Sequence, residues 1–132
     1  MPQRKNISSG RPYEAIIGYS RAVRMDNVSN IVAVCGTTAI DLEGKVVGKG
    51  DPYAQTKKIL EIIQEMLGKV GASFENVIRT RVYVIDVHKN WELVGKAHGE
   101  VFGDIRPACT LIGVDALADP DMLVEIDADA VV

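Results

Sequence analysis

Three carboxylates alternate along the last predicted strand of the chain. Glu125, Asp127 and Asp129 share one face of that strand, because side chains two positions apart point to the same side of a sheet. The other face is apolar and consists of Val124, Ile126, Ala128 and Ala130. The acidic face is therefore either a solvated surface or one wall of a site that basic groups complete.

A thiol precedes this acidic strand at Cys109, in the strand predicted just before it. A buried cysteine in a strand more often packs than reacts, since thiol chemistry needs a neighbouring base to form the thiolate. The sequence offers His88 and His98 as its only histidines, and the spacing places neither beside Cys109. His98 falls on the apolar side of a predicted helix, where we expect it to pack or to cap.

The composition limits the classes of function. The chain has 132 residues, 47% of them hydrophobic and 25% charged, so we expect one domain over residues 1–132 with a polar lead at 1–14. Its net charge of -3 argues against a nucleic-acid partner, which would need a basic stripe. No apolar run approaches the roughly 20 residues that span a bilayer, and the polar lead lacks the apolar core of a secretory signal.

Cysteine usage bears on metals and on the cellular compartment. The two cysteines, Cys35 and Cys109, show neither the spacing of a metal site nor that of a disulfide framework. We therefore expect no metal and a reducing, cytoplasmic location. Since no apolar run could span a bilayer, we also expect no membrane partner.

The clearest predicted element is a helix over residues 51–71. Asp51 suits the N-cap, Pro52 suits the first helical position, and Gly71 suits the residue after the end. Apolar residues recur at helical spacing and form one stripe, which comprises Ile59, Ile62, Ile63, Met66, Leu67 and Val70. A helix with one apolar face is expected to lie on a sheet.

The remaining pattern predicts a second helix over 90–102, weakened by Gly95 and Gly99, and six strands. These strands fall at 15–25, 31–40, 45–48, 77–87, 107–114 and 122–131. The order favours an α+β two-layer fold with a mixed sheet and two helices packed on one face. We expect strand 31–40 to be central and covered on both faces, and the last two strands to form a hairpin-like pair. The second face of the sheet is then expected to be covered by a symmetric assembly.

Several segments carry a resemblance to a known family. GYSRAV, VCGTTAI, GKVGASFENVIRTRVYVID and RPACTLIGV…MLVEIDADAVV resemble the RidA/YjgF reactive-intermediate deaminase family, also called endoribonuclease L-PSP-like, from about Tyr19 to Val132. The resemblance implies a chorismate-mutase-like fold and a homotrimer with small-molecule clefts between subunits. Full deaminases of this family hydrolyse enamines and imines such as 2-aminoacrylate without a metal or organic cofactor.

The resemblance also implies roles for particular residues. Glu125 falls at the position of a glutamate that orients or activates the attacking water, and Tyr19 at that of a tyrosine that helps close the site. Gly36 falls on the glycine of a stretch that borders the ligand. Glu125 is therefore a predicted catalytic residue, and Tyr19 and Gly36 are predicted substrate-binding residues.

One position departs from the family pattern. The arginine that clamps the substrate carboxylate is replaced by Cys109, so the chain resembles an arginine-lacking branch, and a thiol cannot supply a fork of donors. The asparagine usual on the second helix falls on Gly95. Arg106 is a candidate replacement for the missing guanidinium, although Pro107 after it favours extended backbone at the start of the strand.

Two functions from different classes follow from the sequence. The first is a hydrolytic deaminase of an imine, enamine or related carbonyl compound, with Glu125 and Cys109 as its candidate catalytic residues. In it Glu125 positions water and Cys109 shapes the cleft. The alternative is a non-catalytic small-molecule-binding or regulatory trimer that keeps the cleft without the chemistry. Ribonuclease activity has little support, because the acidic chain offers neither a histidine pair nor a basic groove.

Overall fold

The structure is a computed structural model that describes residues 1–132. It contains six strands and three α-helices, with a short 3-10 turn at Phe74–Asn76. In chain order these are β1 (Gln3–Ile7), α1 (Pro12–Ile17), β2 (Ala22–Asp26), β3 (Ile31–Thr38), α2 (Pro52–Lys69), β4 (Val77–Val84), α3 (Val87–Phe102), β5 (Ala108–Gly113) and β6 (Val124–Val131).

The main sheet has four strands in the order β3-β6-β4-β5, and β1 and β2 form a separate two-stranded sheet. Strands β4 and β5 run parallel, whereas β6 is antiparallel to both β3 and β4. The predicted mixed sheet is confirmed, but the predicted pairing of the last two strands is wrong. Helix α3 returns the chain so that β5 lies parallel to β4 at one edge, and β6 then occupies the other side of β4.

Helices α2 and α3 cover one face of this sheet, as the α+β prediction requires. The apolar positions predicted for β6 are all buried against them, and these are Val124, Ile126, Ala128 and Ala130. The buried side of α2 is turned relative to the predicted stripe, because Leu60 is buried whereas Met66 and Val70 are exposed. Helix α2 ends at Lys69, so Val70 lies beyond its last turn.

The ends of α2 agree with the sequence signals. The Asp51 carboxylate accepts a hydrogen bond from the Ala54 N–H at 3.0 Å, and Pro52 begins the helix. Gly71 follows the helix with a left-handed φ of 77°, a conformation that costs glycine little.

The predicted strand over 15–25 is wrong in its first half. Residues Pro12–Ile17 form α1, which Pro12 begins and which ends at Gly18 with a left-handed φ of 81°. The extended chain resumes only at β2, so a helix and a strand share the segment that the β-branched pattern assigned to one strand. The polar lead also holds β1, and Arg4 fastens it by donating hydrogen bonds to the carbonyl groups of Val77 and Ile105.

Glycines in α3 allow α1 to lie directly on that helix. A Cβ at Gly99 would stand 2.6 Å from the Ile16 carbonyl oxygen, and one at Gly95 would stand 3.0 Å from the Ile17 side chain. The residues that weaken α3 in isolation therefore form its contact surface with α1.

Strand β3 is an edge strand and not the predicted central one. Ile31 is 80% exposed, and Cys35 is exposed as well. The pairing of β3 with β6 shifts between Val34 and Thr37, which marks a bulge. The predicted strand over 45–48 is reduced to one isolated bridge between Ile40 and Val46.

The face of the main sheet opposite α2 and α3 carries no element of this chain. This surface, hereafter the open face, presents the outward side chains of β3 to β6. It includes the exposed apolar residues Ile31 and Ile112 beside polar ones. None of the helices has the length and apolar content that crossing a membrane requires.

Candidate functional site

The acidic row of β6 lies on the open face, where basic and phenolic groups of β4 meet it. Arg81 Nη1 donates hydrogen bonds to Asp127 at 3.0 Å and to Asp129 at 3.2 Å. Tyr83 Oη donates to the second oxygen of Asp127 at 3.1 Å. The Asp127 hydrogen bond and the two carboxylates raise the pKa of Arg81. Asp127 and Asp129 are therefore held by cross-strand partners on β4.

Glu125 differs from its two neighbours in the row. It makes no hydrogen bond or ion pair within the chain, although it pairs in register with Thr38 and Tyr83. Its carboxylate lies over the backbone of Gly36, where an added Cβ would stand 2.5 Å from Glu125 Oε2. The structure thus brings the predicted residues Glu125 and Gly36 together, and a side chain at Gly36 would displace the carboxylate.

A cavity of about 370 Å³ lies on the other side of the sheet, between α1, α3 and β5. It is lined by Tyr13, Ile17, Tyr19, Trp91, Cys109 and Leu111. The rings of Tyr13 and Trp91 meet edge to face, with centroids 5.6 Å apart at 86°. The structure therefore brings together the predicted residues Tyr19 and Cys109. It adds Tyr13, which lies in the polar lead, and Trp91, which lies in the predicted second helix.

A buried chain of polar groups lies behind Cys109. Parallel pairing places Cys109 opposite Thr80 on the neighbouring strand. Thr80 Oγ1 is 2.9 Å from His98 Nε2, and His98 Nδ1 is 2.7 Å from the Ile17 carbonyl oxygen. His98 is thus hydrogen-bonded to the residue opposite Cys109, a proximity that sequence spacing did not reveal.

The direction of these hydrogen bonds follows from the Ile17 carbonyl, which can only accept. His98 Nδ1 must therefore carry a proton. Burial lowers the pKa of His98 to about 4, so the ring is neutral near pH 7 and Nε2 accepts the Thr80 hydroxyl proton. Burial also raises the pKa of Cys109, so the thiol keeps its proton.

Arg106 lies in neither group of predicted site residues. Its backbone is left-handed, with a φ of 53°, and not extended as expected before Pro107. The reason is the end of α3, where the Arg106 N–H donates to the Phe102 carbonyl at 2.8 Å and turns the chain. Arg106 Nε donates to the Gly103 carbonyl at 3.2 Å, and the side chain does not line the cavity.

The predicted site residues therefore fall into two groups on opposite faces of the sheet. Glu125 and Gly36 lie on the open face, and Tyr19 and Cys109 line the cavity on the helix side. Strand β4 separates β6 from β5, which adds two strand spacings of about 4.8 Å each. No group of three or more histidine, cysteine or acidic side chains is arranged to hold a metal ion.

A buried carboxylate fixes α1 beside the cavity. Glu14 is 1% exposed, and it accepts hydrogen bonds from the Ser9 hydroxyl, from the Ser9 N–H at 2.9 Å and from the Arg11 N–H at 3.3 Å. Arg21 lies 3.5 Å from the same carboxylate. The hydrogen bonds from Ser9 hold the pKa of Glu14 at about 2, against an ordinary value near 4.5. Glu14 thereby positions the helix that carries Tyr13 and Ile17.

We expect Glu14→Gln to lower the free energy of unfolding at pH 7, because the amide cannot replace an anionic acceptor of three hydrogen bonds. The folded pKa lies below the unfolded one, so the stabilisation is present above about pH 4.5 and is lost as the pH falls towards 2. Urea denaturation at pH 7, 4.5 and 3 should therefore show a difference from the wild type that shrinks on acidification. Glu75→Gln, an exposed control, should differ little at any pH; a constant deficit in Glu14→Gln would contradict the assignment.

Comparison with known proteins adds a family to this geometry. Residues 9–132 match the family described as Endoribonuclease L-PSP. An uncharacterized protein of Streptomyces coelicolor is 36% identical over 126 residues, which cover 96% of this chain and 90% of that protein. A protein of Acinetobacter baylyi named 3-aminoacrylate deaminase RutC is 32% identical over 128 residues, which cover 96% and 95% of the two chains.

Solved structures agree with the sequence relatives. A protein of unknown function of the conserved Rid protein family from Yersinia pestis superimposes with a TM-score of 0.87 at 32% identity, covering 98% of both chains. A Mycobacterium tuberculosis member of the YjgF/YER057c/UK114 family superimposes with a TM-score of 0.71 at 43% identity, covering 98% of this chain and 100% of that one. The chain therefore belongs to the endoribonuclease L-PSP family, which is the RidA/YjgF family that its sequence motifs resemble.

Proposed function

We propose that this protein is a hydrolytic deaminase of small imines or enamines, with Glu125 as the group that activates water. The single observation that carries the proposal is the state of the acidic row. Arg81 and Tyr83 hold both oxygens of Asp127 and one oxygen of Asp129, whereas Glu125 keeps both of its oxygens free of partners within the chain. An unoccupied carboxylate over a glycine backbone can accept a proton from water.

The chemistry requires only proton transfers at this carboxylate. An enamine first takes a proton from solvent on carbon and becomes an iminium ion. Water then adds to the iminium carbon as Glu125 accepts one of its protons, which gives a neutral carbinolamine, and the same carboxyl returns that proton to the nitrogen. The C–N bond breaks and ammonia leaves as the carbonyl forms, and the hydroxyl proton goes back to solvent. The relative named 3-aminoacrylate deaminase supports this reaction class for the family.

A complete site is proposed to need more than one chain. Glu125 and Cys109 lie on opposite faces of the sheet, so a single chain does not hold them against the same small molecule. We infer a homotrimer in which the β5 edge of one subunit meets the open face of the next. The exposed residues Ile31 and Ile112 on that face support such an assembly, because they would be covered by it.

A non-catalytic small-molecule-binding trimer is the second candidate, and the residue that favours it is Cys109. In the family pattern this position holds the arginine that clamps a carboxylate. A buried neutral thiol cannot take over that task. Saturable binding without ammonia release from any member of an imine and enamine panel would support this candidate over the deaminase.

The deaminase is tested by Glu125→Gln, which keeps the shape of the side chain and removes its basicity. We expect ammonia release from enamines and imines generated in situ to fall by at least about 100-fold, the range for losing a general base. Asp129→Asn is the matched control, because it lies on the same strand face but is held by Arg81. It should retain most of the activity, and light scattering should show the same assembly for both variants. Undiminished turnover in Glu125→Gln would refute the mechanism.

A further inference from the structure

The side chains that line the cavity beside Cys109 are unusual for a site that is expected to bind a charged substrate. None of its six lining residues is a lysine, an arginine or a histidine. Its polar atoms are two tyrosine hydroxyls, one indole N–H and one thiol. The volume of about 370 Å³ falls within the range of about 300–1,000 Å³ found for small-molecule pockets. The cavity is therefore large enough for a small ring and carries no positive charge.

The thiol cannot supply a charge of either sign. Burial raises the pKa of Cys109, so the thiol stays protonated near neutral pH. The Thr80 hydroxyl opposite it donates to the neutral His98 ring, which in turn donates to the Ile17 carbonyl, so no base is placed to take the thiol proton. Cys109 lines the cavity as a neutral group. Cys109 therefore contacts a ligand as a small, polarisable apolar group.

The arginine beside the cavity lining already has a carboxylate partner. The Arg21 guanidinium carbon lies 5.6 Å from the centre of the Tyr19 ring, but Arg21 does not line the cavity. Its guanidinium pairs with the buried Glu14 carboxylate at 3.5 Å. Arg106 Nε donates to the Gly103 carbonyl, and Arg106 does not line the cavity either. Neither arginine of this chain is therefore placed to receive an anion inside the cavity.

The cavity therefore interacts differently with a carboxylate and with an uncharged ring. Among the residues of this chain that line the cavity, a carboxylate would find no cationic partner to offset the loss of its hydration, which is unfavourable. An uncharged ring would bury apolar surface and meet the edge-to-face pair of Tyr13 and Trp91. We propose, building on the function proposed above, that the substrate places an uncharged apolar group, best an aromatic ring, in this cavity, and that the cavity excludes carboxylates.

The chain has an internal reporter for this proposal, because Trp91 is its only tryptophan and lines the cavity. Phenylacetamide and phenylacetate serve as probes, since they have nearly the same shape and differ in charge. Titration of the full-length protein near neutral pH should change the Trp91 fluorescence saturably with phenylacetamide. We expect the amide to bind at least about tenfold more tightly than the carboxylate, which corresponds to about 1.4 kcal/mol.

Two substitutions of one residue give the matched comparison. Cys109→Ser keeps a small neutral group and should keep the preference for the amide. Cys109→Arg supplies a fork of donors and should reverse the preference towards phenylacetate. If the arginine variant does not fold, the wild type and the serine variant still decide, because each must prefer the amide.

The outcomes separate this proposal from the one on which it builds. Equal binding of the two probes, tighter binding of phenylacetate or no binding of either would overturn the uncharged-ligand assignment, whatever happens to ammonia release. A clear preference for the amide together with undiminished turnover in Glu125→Gln would remove the water-activating role and leave the ligand class standing. A preference for the amide with loss of turnover in that variant supports both.

Discussion

Gly99→Ala is expected to lower the free energy of unfolding by about 2–3 kcal/mol, the cost of forcing an extra group into a packed contact. The new methyl carbon would stand 2.6 Å from the Ile16 carbonyl oxygen and 3.3 Å from that of Ile17. Backbone atoms cannot rotate away as a flexible side chain can, so α1 must move off α3. Because α1 carries Tyr13 and Ile17 to the cavity, the same substitution should weaken the binding of neutral probes there.

Gly68→Ala is the control for helix propensity. Gly68 also lies inside a helix, but a Cβ there meets nothing within 4 Å. Alanine should stabilise it by about 0.5–1 kcal/mol, because glycine is a poor helix former. Urea denaturation of both variants measures the difference. If Gly99→Ala proved as stable as Gly68→Ala, α1 would not rest on the backbone of α3 in solution.

Acidification from pH 6.5 to 4 is expected to destabilise the wild type through His98 by on the order of 3 kcal/mol, about 1.4 kcal/mol for each pKa unit. The folded pKa of about 4 lies below the unfolded value near 6.5, because burial disfavours the charged ring. The unfolded chain therefore binds a proton in this interval and the folded chain does not. The stabilisation is complete above about pH 6.5 and is lost as the pH falls to 4.

The measurement is a series of urea denaturation curves between pH 7.5 and 4.5 for three proteins. His98→Gln should be less stable near pH 7 and should lose less stability between pH 6.5 and 5 than the wild type. His88→Gln replaces an exposed histidine and should follow the wild type throughout. Parallel curves for the wild type and His98→Gln would show that His98 does not stay neutral in the folded protein.

The sequence predicted those features that depend on local patterns. The alternation of apolar and acidic residues along β6 identified its buried face and its acidic face, because successive side chains of a strand point to opposite sides of the sheet. The caps of α2 were readable at Asp51 and Gly71 for a similar reason, since few residues suit those positions. The family resemblance pointed to Glu125 and Gly36. The structure adds that the Glu125 carboxylate lies over the backbone of Gly36.

The pairing of distant strands could not be predicted in the same way. Adjacent strands often form hairpins, and nothing local reveals that β6 is inserted between β3 and β4. The link from Cys109 to His98 depends on that topology, because Thr80 meets Cys109 only when β5 is parallel to β4. The sequence did not predict α1, because Ile16, Ile17 and Tyr19 are residue types common in strands. The glycines that allow α1 to pack on α3 lie about 80 residues further along the chain, so no local pattern indicates this contact.

The place of β6 in the sheet has a consequence for biosynthesis. A ribosome delivers β3, β4 and β5 before residues 124–131, yet β3 and β4 do not pair with each other and are joined only through β6. The nascent chain therefore holds an open gap in its sheet until β6 emerges, with the facing edges of both flanking strands unpaired. Completion of the sheet and placement of Glu125 are a single late event, so any nascent chain released before β6 lacks the acid and the closed core together.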